Sequence, residues 1–441
     1  MRKEAEMIYD FDEIIDRKNT NCENVEGFRS YMFADEPDIE LPVPDDELVR
    51  MWVADMEFAA APEICAALHE RTEKRIFGYT SVFDSRYYDA FSAWCRKRYG
   101  WEFPREELVF SPGVIPALYE LTELLTEPDE KVLFTTPSYG FFKHACRYSG
   151  RQFISSDLIN EGGHFRVDIE DFAAKAADPD VKLVIWCNPH NPTGRVWTEA
   201  EAREIAEIVE KNDLWIVSDE IHCDLTRKNR QHIPMGKIMP DYRKLVTCMA
   251  ASKTFNLAGM LFSNIIIRDA ELRREFVRRN KLGESVNPLS LAAYQAAYEK
   301  GAPWLDQLQD YLDANFEFAV KFIRENIPGA VCEVPEATYL LWVDMNETAL
   351  NRRSSAKDTE GEDGVDMNGA ADSNAAVGED SIDMNGLSKF FAKDAGVLVE
   401  SGDKLFVGNA EGFVRINLAM PRAVVKKGLE RIAAAIEGKA L

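Results

Sequence analysis

Between about residue 60 and residue 285, short apolar runs alternate with stretches of helical period, and this alternation restricts the fold more than any other feature of the chain. Lys131-Val-Leu-Phe-Thr-Thr, Val181-Lys-Leu-Val-Ile-Trp-Cys, Leu214-Trp-Ile-Val-Ser, Leu245-Val-Thr-Cys-Met and Asn264-Ile-Ile-Ile read as strands. A strand with no polar face must be covered on both sides, the condition of a mostly parallel sheet. Between the runs, Pro62 opens a helical stretch to Arg75, at the position where proline suits a helix start. A second helix runs from Thr198 to Lys211, with Thr198 as cap and Glu201 three residues on, a capping box. The pattern predicts an α/β fold, with a large domain whose mostly parallel sheet carries helices on both faces.

Beyond Asn287 the pattern changes. Helical periodicity dominates from Leu289 to about Asn326, with a break near Gly301-Ala-Pro303. Two extended segments follow, Thr338-Tyr-Leu-Leu-Trp-Val-Asp and Phe413-Val-Arg-Ile-Asn-Leu, and then a helix from Ala423 to about Ile436. Grouping of this kind predicts a smaller α+β domain. The expected division is 1–50 as an N-terminal arm and part of the small domain, 51–287 as the large domain, and 288–441 as the C-terminal small domain. Inside the last, residues 347–386 form an acidic, low-complexity insertion without an aromatic residue, which reads as a solvated loop. Its two Asp-Met-Asn-Gly words resemble half of a calcium loop, but the closing glutamate position holds Ala375 or Ala392, so no metal site is expected.

With 52 basic and 76 acidic side chains the formal charge is −24, which opposes nucleic-acid binding. No apolar run approaches the roughly 18 residues of a membrane span, and no signal-peptide core follows Met1. The 8 cysteines are scattered, several within apolar runs, and read as buried thiols in a reducing compartment. A cytoplasmic protein with neither nucleic-acid nor membrane partners is expected.

Ligands of open α/β sheets sit at the carboxyl ends of the strands, so the polar residues just after the apolar runs are the candidates. Ser252-Lys253-Thr254-Phe255-Asn256 offers a lysine that is either a surface charge or, with its charge suppressed, a Schiff-base nucleophile. In Ser218-Asp219-Glu220-Ile221-His222, a carboxylate ending an apolar strand is costly unless paired. Asp219 either caps the next turn or keeps a pyridinium nitrogen protonated. His222 is either a turn histidine or a group near the phenolate oxygen of such a ring. Asn188-Pro-His-Asn-Pro-Thr-Gly-Arg195 is a rigid turn in which one proline bond is open to the cis form. Ser111-Pro-Gly-Val-Ile-Pro opens a helix at a glycine, leaving free N–H groups where a phosphate can sit. Arg415 alternates with Val414 and Ile416. It is either a surface residue or, facing inward, a bidentate carboxylate grip.

Together and in this order, these motifs resemble the pyridoxal-phosphate enzymes of the aspartate-aminotransferase fold, and more closely the MalY/PatB-type cysteine–sulfur β-lyases. Trp52-Val-Ala-Asp-Met-Glu-Phe, Phe77-Gly-Tyr-Thr, Cys187-Asn-Pro-His-Asn-Pro-Thr-Gly-Arg-Val-Trp, Ser252-Lys-Thr-Phe-Asn-Leu-Ala-Gly, Thr338-Tyr-Leu-Leu-Trp and Arg415-Ile-Asn carry the likeness nearly end to end. The resemblance implies that Lys253 carries pyridoxal 5'-phosphate as a Schiff base, that Asp219 pairs with the ring nitrogen and that Asn191 pairs with the phenolate oxygen. By the same resemblance Tyr139 stacks on the ring. Gly113, Val114, Ile115 and Ser252 bind the phosphate, and Arg415 holds the substrate carboxylate. Tyr79 reaches the phosphate of a neighbouring subunit, which implies a homodimer. Two positions depart from the wider family: Ala250 stands three residues before the lysine where many relatives have Ser, and no Arg follows Lys253 toward the phosphate. The implied activity is β-elimination on a sulfur-substituted amino acid such as cystathionine, giving a thiol, pyruvate and ammonia. The alternative is an aminotransferase, because the same residues serve both outcomes.

Overall fold

The computed structural model describes residues 8–279, 285–350, 386–402 and 405–439. Its centre is a 7-stranded sheet made of β1 (Leu108–Ser111), β2 (Lys131–Thr136), β3 (Gln152–Asp157), β4 (Val181–Cys187), β5 (Trp215–Asp219), β6 (Leu245–Met249) and β7 (Ser263–Ile267). The spatial order is β1-β7-β6-β5-β4-β2-β3. β4, β5 and β6 are parallel neighbours and almost wholly buried, as continuous apolar runs require. β7 is antiparallel to both β6 and β1, so the sheet is mostly parallel. β1 and β3, at the two edges, keep partly exposed residues, and neither was among the runs read as strands.

Each central strand feeds two cores, because successive side chains point to opposite faces. Leu183, Ile185 and Cys187 of β4 pack with Leu118 and Leu121 of helix Val114–Leu125. Val184 and Trp186 pack on the other face with Ala202, Ile205 and Val209 of helix Glu199–Lys211. That helix begins with the expected capping box, in which the Glu201 carboxylate accepts the Thr198 N–H at 2.8 Å.

A second, antiparallel sheet has the order β8 (Leu340–Asp344), β10 (Phe413–Asn417), β9 (Glu400–Ser401). It packs against the long helix Ala302–Asn326 and the last helix, Arg422–Ile436, around Phe316, Leu341, Val414, Ile416 and Leu429. Val49–Arg50 pairs in parallel with Val397–Leu398, so Val49 and Met51 complete this core from the N-terminal side. The arm before them packs elsewhere. Phe11 lies edge-on to Phe58 and Trp304, with ring centroids 5.2 and 5.7 Å apart.

The stretch expected to loop out from Glu347 stays in the core for its first residues: Thr348 and Leu350 are fully buried. Leu350 is the last large apolar residue before the polar run of Asn351-Arg-Arg-Ser-Ser. Residues 351–385, and with them the calcium-loop words, lie outside the described residues. Among the described residues no cluster of His, Cys, Asp or Glu is arranged to hold a metal, and no helix is long and apolar enough to cross a membrane.

Candidate active site

Because β4, β5 and β6 are neighbours, the polar residues that follow them converge. Cys187 lies opposite Asp219, and Asp219 opposite Cys248. The chain leaving β4 makes the Asn188–Arg195 turn, in which both the Asn188–Pro189 and the Asn191–Pro192 bonds are cis. β5 ends on Asp219 itself, and β6 leads into the short helix Ala251–Thr254 that carries Lys253. Gly113 is the N-cap of helix Val114–Leu125 and supplies no side-chain cap, so the N–H groups of that first turn remain available. A cavity of about 250 Å³ opens among these ends. Gly113, Val114, Ile115, Tyr139, Asn191, Asp219, His222, Ser252, Lys253 and Arg415 all line it. Tyr79 does not: it stands fully exposed on the surface of this chain.

The charges in the cavity are poised away from their ordinary states. Burial raises the Asp219 carboxyl from 3.8 to about 7, an effect that the Ile221 N–H and Lys253 only partly offset. Asp219 Oδ1 accepts that N–H at 3.2 Å while the residue also lines the cavity, so capping the turn and facing a ligand are compatible. Burial, helped by the Arg415 charge, lowers the Lys253 amine from 10.5 to about 8 against the pull of Asp55 and Asp219. Burial also drives His222 down to about 3, so its ring is neutral, and its Nδ1 has no partner among the described residues. The Tyr139 ring stacks on Phe141 at 4.9 Å, and burial raises its phenol.

Arg415 is only 2% exposed. Its Nη1 donates to Asn191 Oδ1 at 3.4 Å and its Nη2 to the Trp52 carbonyl at 3.1 Å, while Nε is without a partner among the described residues. Its guanidinium lies 5.2 Å from the Phe406 ring centroid. A buried guanidinium held by neutral acceptors is set to receive a carboxylate.

Two contributors had little or no sequence signal. The Ala54 carbonyl accepts the Lys253 ammonium at 2.7 Å and the Tyr339 hydroxyl at 2.7 Å. Tyr339 stood within a noted motif, yet its place beside the lysine depends on how β8 meets the large sheet. A backbone carbonyl has no residue-type signature at all.

These groups fit pyridoxal phosphate. Free helix-terminal amides suit its phosphate, a buried carboxylate its ring nitrogen, and a lysine of lowered basicity its aldehyde. The cavity lining includes no cationic side chain beyond Lys253 and Arg415. On this chain the phosphate charge would therefore be met by N–H dipoles and the Ser252 hydroxyl.

Residues 52–432 match the family model described as aminotransferase class I and II. The chain is 36% identical to the cystathionine beta-lyase PatB of Bacillus subtilis over 88% of its own length and 93% of that protein. Among solved structures, it is similar to the pyridoxal-phosphate-bound C-S lyase of Staphylococcus hominis, with 44% identity, a TM-score of 0.85 and 98% of each chain covered. It is also similar to cystalysin of Treponema denticola, with 30% identity, a TM-score of 0.83, and 98% and 100% of the two chains covered.

Proposed function

The chain belongs to the aminotransferase class I and II family, and from that premise we propose that it is a pyridoxal-phosphate-dependent carbon–sulfur β-lyase acting on cystathionine or other cysteine S-conjugates. Beyond likeness to named lyases, one observation supports pyridoxal-phosphate chemistry on an amino acid: a lysine lowered to about 8, a carboxyl raised to about 7 and an arginine with no carboxylate partner among the described residues line the same cavity.

When bound, pyridoxal phosphate supplies an electron sink for a carbanion at the substrate Cα. Lys253 would hold the cofactor through its side-chain amine, and that amine, once free, would be the group that takes the Cα proton. An amine near 8 has a usable neutral fraction at neutral pH, which one near 10.5 does not. Asp219 would give the ring nitrogen an anionic partner, Asn191 would serve the phenolate oxygen, and Tyr139 would cover the ring face. The Val114 and Ile115 amides and Ser252 would hold the phosphate. Arg415 takes the α-carboxylate and fixes which Cα bond faces Lys253. With sulfur on Cβ, the C–S bond breaks and a thiolate leaves. The three-carbon remainder takes up water to give pyruvate and ammonia.

The protein acts as a cytoplasmic homodimer. Ile76, Phe77, Tyr79 and Phe83 are exposed within eight residues of one another, an apolar surface suited to a second copy. Tyr79 reaches the neighbouring site and adds a hydroxyl at the phosphate. The free state of all 8 cysteines accords with a reducing compartment.

The test offers cystathionine without any 2-oxo acid and follows pyruvate and free thiol. Many turnovers per site are expected. One stoichiometric half-reaction that resumes only when a 2-oxo acid is added would make the protein an aminotransferase instead.

A further inference from the structure

The segment Trp52–Met56 bends at Val53 and Ala54 as it passes the cavity, which Ala54 lines, and its carbonyls divide by alternate residues. Those of Trp52 and Ala54 meet working side chains. Trp52 accepts from Arg415 Nη2 at 3.1 Å, and Ala54 accepts from Lys253 Nζ and the Tyr339 hydroxyl, each at 2.7 Å. Those of Val53 and Asp55 face away, and both accept from the Asn417 side-chain amide, at 2.8 and 2.6 Å. At the far end the Asn256 side chain grips Met56 twice, accepting its N–H at 3.0 Å and donating to its carbonyl at 2.8 Å. Asn417 lies two residues after Arg415 on β10, and Asn256 three residues after Lys253. Each working side chain therefore comes with an asparagine that ties its own element to the same strip of backbone.

We propose that residues 52–56 are a backbone template that fixes the distance between the carboxylate grip of Arg415 and the amine of Lys253, and that Asn256 and Asn417 are the positioning residues holding it. The proposal rests on the β-lyase reading only for the roles of Lys253 and Arg415. A clamp serving stability alone would have no reason to set the two carbonyls that orient the reacting groups. A template does, because a misplacement near 1 Å can cost ~100-fold in rate.

Asn256→Gly is the sharpest variant. Asn256 has φ +55, which glycine adopts freely, so the backbone is kept while both side-chain contacts go. Asn256→Asp keeps the acceptor and loses the donor, and Asn417→Ala removes the grip on Val53 and Asp55. Three rates are compared per folded site: cystathionine turnover, α-deuterium exchange of L-alanine, and the limiting rate at which cofactor-free protein captures pyridoxal phosphate. For Asn256→Gly we expect each to fall ~10- to 100-fold with KM nearly unchanged. Asn256→Asp should fall between Asn256→Gly and the parent. Asn417→Ala should instead raise KM ~10-fold, since it loosens the side that orients Arg415. Variants that melt lower but keep parental rates and KM per folded site would make the asparagines structural clamps and overturn the proposal. Capture and exchange need no leaving group, so a protein that proved to be an aminotransferase would lose the lyase reading and still test the template.

Discussion

Two buried arginines, Arg195 and Arg415, are 5% and 2% exposed, and the protein treats them in opposite ways. Arg195 is saturated. Its Nε donates to Glu336 at 3.0 Å, its Nη2 to Glu201 at 3.0 Å, and its Nη1 to the Phe165 carbonyl and the His164 ring. Arg415 has neutral acceptors, a ring face and an Nε without a partner among the described residues. Removing a charge from water is costly unless it is paired, so the fold compensates one arginine fully and leaves the other short. The same contrast holds for the acids beside them. Glu220 accepts from Ser218 at 2.8 Å, from the Met235 N–H at 2.8 Å and from His232 at 2.7 Å. Its neighbour Asp219 is left with the Ile221 N–H and a carboxyl raised to about 7. Satisfied groups hold the frame, and under-compensated ones mark where a ligand must supply the missing charge.

The largest expected break in this symmetry is at Asp219. Asp219→Asn should slow Cα deprotonation by several orders of magnitude, followed as deuterium exchange, while Glu336→Gln should leave exchange within a few-fold. Stability should move the other way. The folded-state carboxyl of Asp219 lies above its ordinary 3.8, so its neutral form contributes stability that is fully present below about pH 4 and lost as pH rises through about 7. Cofactor-free Asp219→Asn should therefore melt higher than the parent at pH 8 and close to it at pH 4. Glu336→Gln should be less stable by about 1–3 kcal/mol, because it leaves the Arg195 guanidinium without one of its charged partners.

A second contrast is between the arginines. Arg415→Lys keeps the charge but loses the fork, and should raise KM for the amino acid ~100-fold. Arg195→Lys should lower the melting temperature and leave KM near the parent value.

Much of this contrast is legible in the sequence. Asn191, Asp219 and Lys253 could be read because each follows an apolar strand, and those three strands are spatial neighbours. Arg415 could be read because it interrupts an apolar alternation. The edge strands β1 and β3 were hidden by their half-exposed pattern. The burial of Leu350 was hidden by the polar run that follows it, and Phe11 gave no sign that it reaches Trp304. The Trp52 and Ala54 carbonyls were invisible because they are backbone, and their positions depend on asparagines about 200 and 360 residues away in sequence.

The remaining effects are smaller. The rate at which cofactor-free protein captures pyridoxal phosphate should rise with pH up to about 8 and then level, because neutral Lys253 is the attacking form. A lysine at its ordinary 10.5 would keep gaining beyond pH 9. Replacing residues 351–385 by a short Gly/Ser linker, with Thr348 and Leu350 retained, should change turnover by less than about three-fold, since loop closure depends only weakly on length. A large loss with both cystathionine and a small substrate would make that segment part of the site.

The claim that Lys253 is the under-compensated amine on which the chemistry depends is tested most directly by borohydride reduction of the cofactor-loaded protein followed by peptide mass analysis. The account predicts one pyridoxyl group per chain, on the peptide bearing Ser252-Lys253-Thr254, and none in Lys253→Ala. A pyridoxyl group on any other lysine, or one retained in Lys253→Ala, would contradict it.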